Sequence, residues 1–155
     1  MILLRLATFG LLILSTYLEI CDAKKSNIRA LLRGDILLFG LPAAWFPEYK
    51  NLDASPSLTL KHKLCIWLTN IIHSKRDLGG DIEKCDLVDL KPEPLTATIM
   101  FTFNGERNTE ETVQKCLNYL RDTIRSGRAE PQDFHIWNIR SLEIIDGQQA
   151  KRNEL

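Results

Sequence analysis

Thr96-Ala97-Thr98-Ile99-Met100-Phe101-Thr102-Phe103 is the stretch that decides how this chain folds. Its residues alternate in character, Met100 apart. Ala97, Ile99, Phe101 and Phe103 fall on one face, and Thr96, Thr98 and Thr102 on the other, the pattern of a strand in a sheet with one solvated side. Asn104-Gly105 ends it. Pro92 and Pro94, just upstream, cannot join a ladder and mark a turn. Before them Ile82 to Leu90 reads as a second strand, with Ile82, Lys84, Asp86, Val88 and Leu90 on one face and Cys85 and Leu87 on the other.

Helices are expected on either side of this hairpin. Upstream, Ser55 as N-cap and Pro56 at the first helical position open a stripe of Leu60, Leu64, Trp67, Leu68, Ile71 and Ile72, closed by Gly79-Gly80. Downstream, Asn108 and Glu111 make a start resembling a capping box. Val113, Cys116, Leu117, Leu120 and Ile124 then keep helical spacing, with Gly127 at the C-terminal cap. Ile36-Leu37-Leu38-Phe39 reads as a largely buried first strand that ends irregularly at Gly40 and Pro42, and Phe134 to Ile145 as the closing strand. The order βαββαβ predicts an α+β fold of ferredoxin-like type, a four-stranded antiparallel sheet with two helices on one face.

The 155 residues suit one domain, and 45% hydrophobic with 26% charged residues excludes wholesale disorder. Twenty basic against twenty acidic side chains argue against a nucleic-acid binder and against a binder of anionic membranes. Residues 1–23 read as a secretory signal peptide. Arg5 precedes an apolar run from Leu6 to Leu18, and Cys21-Asp22-Ala23 offers a cleavage site. A signal anchor is the alternative, and only then is membrane association expected. Residues 24–34 and 147–155 are expected as tails around a domain at 35–146. The secreted reading leaves Cys65, Cys85 and Cys116, an odd number for an oxidising compartment. Their spacing matches no zinc pattern, and no metal or cofactor is expected. The chain contains no Asn-x-Ser/Thr sequon.

From about Ile36 to Asp146 the chain resembles a SEA domain, the extracellular module of mucins, agrin and enteropeptidase. The resemblance rests on Trp45-Phe46 with Tyr49 and Asn51-Leu52-Asp53, on Ile72-His73-Ser74 at the helix end, and on Gly80 to Leu90 with Cys85. Thr98 to Phe103 and Ile139-Arg140-Ser141-Leu142-Glu143-Ile144 complete it. It implies a non-enzymatic binding or spacer module among extracellular or lumenal proteins and glycoproteins. It also implies a self-cleavage site at a Gly-Ser bond between the second and third strands, where a strained turn promotes attack by the serine hydroxyl. Here Glu93 and Pro94 stand in those places, proline offers no nucleophile, and an uncleaved domain is expected.

Four further features bear on function. Arg33-Gly34-Asp35 is the tripeptide that integrins read, provided an exposed loop presents it; the alternative is ordinary turn chemistry. Arg152-Asn153-Glu154-Leu155 is a variant of the ER-retrieval tetrapeptide and makes an ER-lumen accessory factor the second functional reading. In the expected fold Cys65 meets either Cys85, the favoured pairing, or Cys116, against the alternative of buried free thiols. His62, His73 and His135 offer a Cys–His dyad with Cys65 or Cys116 only if a cysteine leaves its apolar face, so no catalytic residue is assigned. Ser126-Gly127 reads as a cap rather than a glycosaminoglycan site, and Trp45, Trp67 and Trp137 as core anchors with Trp45 the most exposed. An open sheet edge and a spare cysteine make a dimer an open alternative.

Overall fold

A computed structural model describes residues 26–145. The signal segment expected at 1–23 and the tetrapeptide Arg152–Leu155 lie outside them. In chain order the elements are β1 (Ile28–Leu38), β2 (Leu41–Pro42), a 3₁₀ turn (Pro47–Lys50), α1 (Ser55–Ser74), a 3₁₀ turn (Arg76–Leu78), β3 (Ile82–Lys91), β4 (Thr96–Phe103), α2 (Glu110–Arg125) and β5 (Phe134–Ile145). The fold is α+β, with two helices and an antiparallel sheet of five strands, one of them only two residues long. The long strands run in the order β5-β1-β4-β3, and β2 pairs only with the last two residues of β1.

The stripes read from the sequence form the core. Leu60, Leu64, Trp67, Leu68, Ile71 and Ile72 of α1 are buried, as are Val113, Cys116, Leu117, Leu120 and Ile124 of α2. They pack with Ala97, Ile99, Phe101 and Phe103 of β4 and with Ala30, Leu32 and Ile36 of β1 in one cluster.

Several boundaries differ from expectation. β1 begins at Ile28, so the end of the expected tail 24–34 is the first half of a central strand. Arg29, Leu31 and Arg33 alternate there with buried Ala30 and Leu32. The N-cap of α1 is Ala54 rather than Ser55, because the Leu58 N–H already donates to the Ala54 carbonyl. Thr109 rather than Asn108 caps α2, accepting from the Thr112 N–H. Asn108 is buried instead, and its amide bridges the Asp81 and Asn104 carbonyls. Glu111 pairs with Lys115 at 2.7 Å.

In β3, register shifts between Ile82 and Lys84 and between Leu87 and Asp89 change the parity of the strand. Ile82, Cys85, Leu87 and Leu90 therefore stand opposite core residues Phe103, Phe101, Ile99 and Ala97. β5 carries two more shifts opposite β1. They leave Trp137 unpaired and 54% exposed, while Trp45 is half-buried against the core. The most exposed tryptophan is thus Trp137, not Trp45.

Candidate functional site

Arg33-Gly34-Asp35 lies within β1, the strand flanked by β4 and β5, and not on a loop. Its glycine and aspartate each have a structural task. A Cβ on Gly34 would run into the Ile136 side chain and stand 2.9 Å from the Asn138 carbonyl oxygen, so the close approach of β5 requires glycine. The Asp35 carboxylate is 3% exposed and accepts from Thr96 Oγ1 at 2.8 Å, Asn138 Nδ2 at 2.8 Å and Arg140 Nε at 2.6 Å. Burial pushes its pKa up, but the hydrogen bonds from Asn138, Arg140 and Thr96 and the Arg140 charge outweigh that and hold it below the ordinary value. An integrin ligand must offer this carboxylate to solvent. Here it is buried and committed, which removes the premise of that reading.

The turn between β3 and β4 is closed by Pro92-Glu93-Pro94-Leu95, with a cis bond between Glu93 and Pro94. The next hydroxyl in the chain belongs to Thr96. It donates to the ionised Asp35 carboxylate and also lies 3.0 Å from the Pro94 carbonyl oxygen. That group is a structural donor, held by a charge-assisted bond.

Cys65 of α1 and Cys85 of β3 form a disulfide, the favoured pairing. One turn before Cys65, Lys61 reaches Asp86 at 2.7 Å, so the same contact carries an ion pair. Cys116 is free and buried, and its burial pushes the thiol pKa up. A thiol in that state is poorly suited to nucleophilic attack. His62 and His73 are exposed, and the His135 ring tilts against Trp67 with centroids 5.9 Å apart. Among the described residues no group of three His, Cys, Asp or Glu side chains is placed to hold a metal ion. Gly127, with φ of 67°, closes α2 as a cap.

Shallow grooves open to solvent among the described residues, and two of them flank the layers of the fold. One, about 300 Å³, lies between the helices and is lined by Trp67, Asn70, Tyr119, Arg128, Glu130 and Gln132 among others. The other, about 380 Å³, lies on the sheet face away from the helices, among Arg33, Asp89, Lys91, Thr98, Ser141 and Glu143.

The surface that departs most from ordinary composition is at one pole. Phe39-Gly40-Leu41-Pro42-Ala43-Ala44-Trp45-Phe46-Pro47 contains no charged, amide or hydroxyl side chain. Phe39 is 74% exposed, Leu41 70% and Phe46 48%. Phe39, expected within a largely buried strand, stands in solvent beyond the end of β1. The signal that marked the stretch was the unbroken run of nine apolar or glycine residues beyond the strand. Comparison with protein-family models, with curated proteins and with solved structures returned no match.

Proposed function

We propose that this chain is a secretory-pathway protein built around one SEA-like domain, a non-enzymatic binding or spacer module that does not cleave itself. The long-strand order β5-β1-β4-β3, with α1 between β1 and β3 in the chain and α2 between β4 and β5, is the observation that carries the reading. It supports a ferredoxin-like split βαβ reading and agrees with the family resemblance of residues 36–146. The Cys65–Cys85 disulfide fits an oxidising compartment. Function does not follow from fold alone, so the partner class, extracellular or lumenal proteins and glycoproteins, comes from the resemblance.

The uncleaved state rests on chemistry at the β3–β4 turn. An acyl shift there needs a hydroxyl on the residue after the scissile carbonyl. Pro94 supplies none, and the Thr96 hydroxyl is engaged by Asp35. Protein recovered from expressing cells, then reduced and denatured, is expected to run as one chain by intact mass. An internal N-terminus at Pro94 or Leu95 would contradict this.

A further inference from the structure

Phe39 works against the fold that carries it. It sits with Gly40 at the tip of the hairpin joining β1 to β2, and both residues have positive φ, 51° and 80°. A two-residue hairpin of this kind favours Asn-Gly, because asparagine tolerates the left-handed region far better than a bulky aromatic. Phe39 also gains little from burial. Neither turn chemistry nor the core accounts for phenylalanine at this position.

The tip is nevertheless firmly built. The Phe39 N–H donates to the Asp133 carbonyl at 2.8 Å, and the Ala43 N–H to the Ile36 carbonyl at 3.0 Å. Phe46 packs edge-on against buried Tyr49. The apolar side chains are thus presented on an ordered, protruding scaffold.

We propose that the Phe39–Pro47 pole is a membrane-inserting tip, which seats Phe39, Leu41 and Phe46 in the interface of an uncharged lipid surface. Three observations favour lipid over a protein. The one side-chain hydrogen-bonding group of the segment is the indole N–H of half-buried Trp45, a ring type suited to the membrane interface. Its three exposed large side chains present on the order of 350 Å², less than half of the roughly 800 Å² per partner in a standard stable interface, a second copy included. The charges beside it balance: Lys63 pairs with Asp133 at 2.8 Å, and Glu48 stands two residues from Lys50. A tip without basic excess suits an uncharged leaflet rather than an anionic one. No helix among the described residues is long and apolar enough to cross a membrane.

The rest of the fold allows this. Arg29 pairs with Ile145, so β1 begins and β5 ends together at the pole opposite the tip. An 11-residue strand spans roughly 35 Å. The tip therefore points away from the places where residues 1–25 and 146–155 join the fold.

The test places a polarity-sensitive fluorophore at Ala44→Cys, with Glu106→Cys near the opposite pole as control. The processed chain recovered from expressing cells is mixed with phosphatidylcholine vesicles. A blue shift at position 44 and none at 106 is expected, unchanged by added phosphatidylserine. Phe39→Asn in the labelled chain is expected to abolish the shift while raising the melting temperature, which separates lost insertion from lost folding. The proposal is overturned by no shift on phosphatidylcholine, by a shift only with phosphatidylserine, or by an equal shift at 106. It is also overturned by a shift without vesicles that grows with protein concentration, the mark of self-association, or by full binding of Phe39→Asn.

Discussion

Replacing Asp35 by alanine is expected to destabilise the domain by about 2–3 kcal/mol. The carboxylate is buried on a central strand and accepts three side-chain hydrogen bonds, from Thr96, Asn138 and Arg140. Its removal takes the shorter of two acceptors from the buried Thr96 hydroxyl and leaves a cavity between β1, β4 and β5. That hydroxyl keeps the Pro94 carbonyl as an acceptor, and the part-exposed Arg140 can turn to water, which holds the cost below that of a fully buried ion pair. Equilibrium unfolding in urea at neutral pH measures the loss. The pH dependence identifies its origin. The pKa of Asp35 is depressed in the folded state, so its contribution is fully present above the unfolded value, near 3.9. It fades as pH falls through the folded value. Wild type is therefore expected to lose stability on acidification below about pH 4 more steeply than Asp35→Asn. Equal slopes would show that Asp35 is not linked to folding in this way.

The other large effect concerns the disulfide. Cys65 and Cys85 are 20 residues apart, and by loop closure their bond stabilises the domain by about 3 kcal/mol. Cys65→Ala with Cys85→Ala is expected to lose that amount. The Lys61–Asp86 pair remains and keeps α1 docked on β3. Because the bond constrains the unfolded chain, the denaturant dependence should steepen in the double variant as the denatured state expands. Of the three cysteines in residues 26–145, only Cys116 should react with a thiol reagent when the chain is denatured without reductant. Three reactive thiols would mean that the bond does not form.

These two features show what the sequence discloses and what it hides. Strong periodicity was legible: the alternation at Ala97 to Phe103 and the apolar stripes of α1 and α2 are buried, although Thr96, expected on the solvated face, is buried too, as are Ser57 and Thr123. The Cys65–Cys85 pairing followed because a helix and its neighbouring strand bring those positions together. The first half of β1 was hidden by Arg29 and Arg33, which alternate outward where the inward residues of that half are Ala30 and Leu32. The parity of β3 was hidden because a bulge leaves no mark in composition.

The task of Asp35 was illegible for a different reason. Its partners stand 61, 103 and 105 residues further along the chain, and only the sheet register brings them to it. A local tripeptide therefore looked like a recognition motif when its glycine and aspartate were dictated by distant strands. The apolar tip was the converse case. Its composition was in plain view from Phe39 to Pro47, but only the structure shows that three of its large side chains face solvent.

The most direct test of the central claim, a secreted SEA-like module, is an export assay. The full chain is expressed in cells with and without Arg152 to Leu155, and the fraction in the medium is compared. Efficient export of both forms is the predicted result. Retention relieved by removing the tetrapeptide would contradict it in favour of an ER-lumen protein, and membrane-bound retention of both would contradict it in favour of an uncleaved anchor.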